Sequence, residues 1–170
     1  MRITFNKLKK SDYNDFCTDV CEIFSIAVIE TFGKPQDGKD IISSDEILGI
    51  ISDSECETYT VYADGVKVGG ISIKEDAAMR QNSAELFYIY PEHHSKGLGY
   101  QIWQAVEKLY PNTKVWRLIT PYFEKRNIHF YVNKCGFKIV EFFNKVHVDP
   151  ARSLTGDNCH DEYFVFEKVM

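Results

Sequence analysis

The stretch YPEHHSKGLGYQIW, residues 90–103, sets Gly97 and Gly99 one residue apart directly before an amphipathic helical pattern, with His94, Ser95 and Lys96 beside them. Glycine weakens a helix, so a pair of glycines at a helix start needs an offsetting gain, such as close approach of a ligand to the backbone. The first N–H groups of a helix have no intrahelical acceptor, and the dipole end there is positive, which suits an anion such as a phosphate. His94, Ser95 and Lys96 can add donors around it. The same glycines are also compatible with a tight strand-to-helix turn that holds no ligand. The two familiar nucleotide patterns fail here: no third glycine stands at Ile102, and no Gly-Lys-Ser/Thr occurs.

The elements that position this turn follow from hydrophobic periodicity. RITFNKL alternates as a strand, and SDYNDFCTDVCEIFSIAVIETF opens on a Ser/Asp cap and repeats Phe16, Val20, Ile23, Phe24, Ala27 and Val28 at helical spacing. GKPQDG breaks the pattern, and SSDEILGIISD forms a short capped helix. Asp64-Gly65 between two alternating apolar runs predicts a hairpin, and Ala84 to Tyr90 is a third strand. Leu98, Ile102, Val106 and Leu109 define the next helix, which stops at Tyr110-Pro111. A strand over Val115 to Ile119, a helix from about Phe123 to Lys134 ending near Cys135-Gly136, and two strands in FKIVEFFNKVHV and EYFVFEKVM complete the chain. The expected architecture is a mixed α/β (α+β) sheet with helices on both faces.

Composition narrows the function classes. With 170 residues and 44% hydrophobic content, one domain over 1–170 with one sizeable core is expected. The net charge is −5 and no Lys/Arg block stands out, so a nucleic-acid surface is not expected. The start MRITFNKLKKSDY lacks an apolar leader, and no apolar run approaches the roughly 18 residues of a membrane span; the expectation is a cytoplasmic protein. Five cysteines without a CxxC pair suggest neither a disulfide framework nor a zinc site, and His93-His94 with Cys159-His160 shows no zinc spacing. No metal is expected.

IYPEHHSKGLGYQIW resembles motif A of the GCN5-related N-acetyltransferase (GNAT) superfamily, Val-x-Pro-Glu-x-Gln/Arg-Gly-Lys-Gly-x-Gly at a strand-to-helix junction. Ile89, Pro91, Glu92, Lys96, Gly97, Leu98 and Gly99 fit; His94 stands for Gln or Arg and Ser95 for a frequent glycine. EKRNIHFYVNKCGF resembles motif B, with Glu124 in the Asn position, Asn127 in the Ala position, Tyr131 in the Tyr position and Gly136-Phe137 as the ending. One residue more than usual separates Tyr131 from Gly136.

The resemblance implies a single GNAT-like domain with about 6–7 strands, mostly antiparallel, with a splayed parallel pair in the middle that takes acetyl-CoA. It implies pyrophosphate contacts from His94, Ser95, Lys96, Gly97, Leu98 and Gly99. Main-chain groups of Phe87, Tyr88 and Ile89 would bind the pantetheine arm like a sheet edge. An N–H near Ile89 would face the thioester oxygen. Glu124 and Asn127 occupy further coenzyme-binding positions. A charged His94 would make phosphate binding pH-dependent near neutrality.

Acyl transfer to an amine needs a deprotonated amine, close placement of the reactants and a proton for the departing thiolate, without a covalent enzyme intermediate. Tyr131 is the candidate general acid, a phenol's reference pKa of about 10 being near a thiol's roughly 8.5. Glu85 is the candidate base, directly or through water. The expected activity is acetyl-CoA-dependent N-acetylation of a primary amine, on a small molecule or an exposed peptide or protein amino group. A catalytically silent acyl-CoA-binding or sensing domain is the alternative. A homodimer formed through the last strand would coexist with either.

Overall fold

Asp64 and Gly65 adopt φ of 49° and 86°, the twin positive values of a primed hairpin turn, and fold β2 (Cys56–Ala63) onto β3 (Val66–Asp76). This computed structural model describes residues 1–33, 43–94, 97–150 and 162–170. Ser95, Lys96, Cys159 and His160 lie outside the described residues. The other strands are β1 (Ile3–Lys7), β4 (Gln81–Ile89), β5 (Val115–Pro121), β6 (Lys138–Phe143) and β7 (Tyr163–Val169). The helices are α1 (Tyr13–Phe32), α2 (Ser44–Ser52), α3 (Leu98–Leu109) and α4 (Lys125–His129), the last running straight into a π-helical segment, Phe130–Cys135.

The seven strands form one sheet in the order β1-β2-β3-β4-β5-β7-β6, antiparallel except for the parallel pair β4–β5 in its middle. This is the expected fold class. The amphipathic pattern of each helix explains the layers. Phe16 and Val20 of α1 with Ile47 and Ile51 of α2 pack on Leu86 and Tyr88. On the opposite face Ile102, Trp103 and Val106 of α3, with Tyr131 and Phe137, cover Ile71, Ile73, Trp116, Leu118 and Phe166. Ser43 caps α2 by accepting from the Asp45 N–H at 3.2 Å, whereas Asp12 makes no cap bond to α1, a turn of 3-10 helix over Lys10–Asp12 leading in instead.

Strict alternation along β4 would place Ala84, Leu86 and Tyr88 on one face. The pairing instead runs Ser72 to Leu86 and Ile73 to Ala84, leaving Glu85 as the extra residue of a β-bulge. The bulge reverses the parity: Ala84, Phe87 and Ile89 pack toward α3, and Leu86 and Tyr88 toward α1. The last strand, β7, lies between β5 and β6, so both its edges are used, and it is not the free edge expected for pairing with a second subunit; β6 is at the edge. Among the described residues no helix is long and apolar enough to cross a membrane.

Candidate active site

β4 and β5 pair at only three positions, Gln81–Val115, Asn82–Trp116 and Ser83–Arg117. β4 then runs on to Ile89 beside β3, and β5 to Pro121 beside β7, without pairing to one another. The sheet therefore opens into a V in its middle, with main-chain groups along its walls that make no ladder bonds to the facing strand. An extended ligand arm can hydrogen-bond to such an edge as an added strand would.

The expected trio Phe87, Tyr88 and Ile89 divides by direction. The Tyr88 carbonyl is turned onto Gly69 of β3, where an added Cβ would collide with it, and the Tyr90 N–H donates to Val68 at 3.0 Å. Because main-chain groups alternate along a strand, those of Phe87 and Ile89 point the other way, into the V. Tyr88 thus departs from its expected role: its main chain serves β3, and its hydroxyl donates to Asp19 of α1 at 3.2 Å. Asp19 also accepts from Tyr90 (2.6 Å) and Lys67 (2.8 Å), an arrangement that ties α1 to this wall.

Past Ile89 a 3-10 turn over Pro91–His93 leads to α3. Gly97 caps α3 with φ 71°, a left-handed conformation that L side chains disfavour, and a Cβ there would meet open space. Gly99 answers to packing instead. A Cβ on it would stand 3.1 Å from the Phe130 ring and 3.3 Å from the Ile89 side chain, so its glycine lets α3 start against β4 and the π segment. Among the described residues the first intrahelical bond is Gln101 N–H to Gly97 carbonyl, at 3.2 Å, and the N–H groups of Leu98, Gly99 and Tyr100 have no helical acceptor. Leu98 contributes only main chain, its side chain being 5% exposed in the core.

His94 turns back onto the strand it follows. The Arg126 guanidinium of α4 lies 2.7 Å from Nδ1 and 3.3 Å from Nε2; the Ile89 carbonyl, 2.7 Å from Nε2, can only accept, so Nε2 carries the proton and donates to it, and Nδ1 accepts from Arg126. Burial, the leading cause, and the nearby guanidinium lower the His94 pKa, against the raising effect of the Ile89 bond. A lowered value favours the neutral ring below the ordinary value of about 6.5, against the expected charge change near neutrality.

Tyr131 packs beneath the V among Trp103, Phe130, Phe137 and Phe166, with centroids 5.1–6.4 Å away. Its phenol is held above the ordinary value, chiefly by burial, then by Cys135 and Glu124. The residue that lengthens the Tyr131-to-Gly136 interval is absorbed by the π segment, whose wider turn ends where the Gly136 N–H meets the Tyr131 carbonyl. Cys135, in the same segment, is a buried thiol pushed up to about 12, again chiefly by burial, and is inert rather than nucleophilic. Glu124 precedes α4 and is half-buried; burial raises its pKa, Glu30 of α1 adds to this and Arg126 opposes it. Asn127 lies in the first turn of α4.

Glu85, the bulge residue, is exposed and sits two positions beyond the last parallel pair, at the apex of the V. The Ser83 hydroxyl donates to it. Periodicity could not have identified Arg126, Glu30 or Asp19, since charges on exposed helix turns are ordinary; only the fold brings them to the site. Among the described residues no group of three His, Cys, Asp or Glu could hold a metal.

The acetyltransferase (GNAT) family model matches residues 20–137. The uncharacterized protein YrkN of Bacillus subtilis strain 168 is 41% identical over 175 aligned positions, spanning 99% of this chain and 94% of that one. The PaiA N-acetyltransferase of Thermoplasma acidophilum in complex with coenzyme A shares the fold with a TM-score of 0.68 at 19% identity, covering all of both chains. The spermidine N-acetyltransferase of Vibrio cholerae in complex with CoA and spermine gives 0.68 at 15% identity, over 98% and 95% of the two chains. A model match over more than half the chain, on a sheet split at β4–β5 above the open N-terminus of α3, carries one conclusion: this chain belongs to the GNAT family of acetyltransferases.

Proposed function

We propose that this chain is an acetyl-CoA-dependent N-acetyltransferase, one domain over residues 1–170, that transfers an acetyl group directly to a primary amine of a small molecule, peptide or protein. The observation that carries the reading is the three-pair contact between β4 and β5, which opens onto the N–H groups of Leu98, Gly99 and Tyr100, unpaired among the described residues. Acetyl-CoA would supply the acyl group as an activated thioester. Leu98, Gly99 and Tyr100 N–H groups, with Gly97, His94, Ser95 and Lys96, would hold its phosphates, and the edge groups of Phe87 and Ile89 its pantetheine arm. The solved relatives described as complexes with coenzyme A agree with this use of the fold.

The chain's own groups manage the protons. Glu85, exposed at the apex, accepts the ammonium proton, directly or through water. Tyr131 donates to the departing sulfur; burial keeps its phenol protonated until that moment. The test is release of coenzyme A thiol over a panel of amines. Turnover is expected, and Tyr131→Phe should lower kcat by roughly 10²-fold or more with little change in acetyl-CoA affinity. Tight acetyl-CoA binding without turnover on any amine would instead identify a silent acyl-CoA-binding domain.

A further inference from the structure

His94 stands in the strand-to-helix turn given to the coenzyme phosphates, yet both of its ring nitrogens are engaged. Nε2 donates to the Ile89 carbonyl at 2.7 Å, and Nδ1 accepts from Nη1 of Arg126 at the same distance. No ring N–H is left for a phosphate. A cation from α4 stands beside the turn instead. Nη2 of Arg126 lies 3.3 Å from His94 Nε2, itself a donor, so that contact cannot satisfy it. Among the described residues the guanidinium has no other hydrogen-bond partner, and no carboxylate lies within ion-pair distance of it. Glu124 feels its charge without pairing to it. An exposed guanidinium bonded only to a neutral ring keeps its charge and most of its N–H donors for an incoming anion.

A second contact fixes where that charge stands. Phe130 follows Arg126 by about one helical turn, across the junction of α4 and the π segment. Its ring reaches the start of α3, 3.1 Å from where a Cβ on Gly99 would be, and packs on Phe87 of β4 at 6.2 Å between centroids. The face of α4 that carries Arg126 and Phe130 is therefore turned to the start of α3 and the end of β4. A pyrophosphate carries full negative charges, which the N–H groups of a helix start meet only in part. A fork of guanidinium donors complements them.

Resting on the acetyl-CoA reading above, we propose that Arg126 is a cationic ligand of the coenzyme pyrophosphate, and that His94 is its positioning residue, holding the guanidinium beside the start of α3 rather than touching phosphate itself.

Calorimetric titration with coenzyme A and with 3′-dephospho-coenzyme A tests this on the wild type, Arg126→Gln, Arg126→Lys, His94→Ala and the double variant of His94→Ala with Arg126→Gln. Arg126→Gln should weaken both ligands by the same factor, about tenfold or more, and leave the melting temperature of the ligand-free protein unchanged. Arg126→Lys should recover part of the loss. His94→Ala should weaken binding in the wild type and far less once Arg126 is gone, the two effects being coupled. Unchanged affinity in Arg126→Gln, a loss confined to coenzyme A with its 3′-phosphate, a loss that tracks a lowered melting temperature, or additive effects of the two substitutions would each overturn the assignment. Coenzyme A binding without turnover on any amine overturns the enzyme reading and leaves this site to be decided by the same titrations. A wild type that binds no coenzyme A overturns both.

Discussion

His94 donates from Nε2 to the Ile89 carbonyl at 2.7 Å, while Arg126 donates to its Nδ1 at the same distance. The imidazole is thereby fixed as a neutral ring across the mouth of the split, on a main-chain oxygen that faces the cleft. Two consequences follow for pH.

His94 has its folded pKa below the ordinary value of about 6.5, so the folded protein binds fewer protons here than the unfolded chain. The stability this contributes is fully present above about pH 6.5 and is lost as pH falls through the lowered folded value. Thermal melts should therefore show the wild type losing stability below pH 6.5 more steeply than His94→Gln, which can keep a donor to Ile89 without titrating. In the same variants, acetyl-CoA affinity measured by calorimetry should be flat from pH 7 to 8.5 as far as His94 is concerned. A transition near pH 7 or above in the wild type that His94→Gln removes would contradict the neutral ring.

Gly97 and Gly99 look alike in sequence but answer to different constraints. Gly97→Ala forces a methyl-bearing residue to φ 71°, which should cost on the order of 1–2 kcal/mol in urea denaturation, and Gly97→Asn should recover part of it. Gly99→Val acts on the neighbours: its side chain meets Phe130 and Ile89, displacing one wall of the site. It should abolish the thermal shift on adding acetyl-CoA. A Gly97→Ala protein as stable as the wild type, or a full shift in Gly99→Val, would remove these assignments.

Much of this was legible before folding. The Asp64-Gly65 hairpin, the helical spacing of Leu98, Ile102 and Val106, and the strand over Val115 to Ile119 each report a local period that tertiary packing did not override. Direction was harder to read. SAELFYIY is apolar on both faces because helices cover both, so alternation could not expose the bulge at Glu85 or turn Tyr88 toward Asp19. The extra residue between Tyr131 and Gly136 was visible, but its accommodation as a π segment depends on Tyr131, Cys135 and Phe137 all reaching the core. Glu30 and Arg126 meet Glu124 and His94 across more than thirty residues of chain, a proximity no local pattern encodes.

The split between β4 and β5 is the centre of this account, and amide chemical shifts during an acetyl-CoA titration test it most directly. The account predicts saturable changes at the amides of Phe87, Ile89, Leu98, Gly99 and Tyr100, with Tyr88, whose main chain serves β3, moving less. Saturable shifts confined elsewhere, for example around Tyr59, Tyr110 and Asn112 at the cavity beyond the far end of α3, or no binding at all, would contradict it.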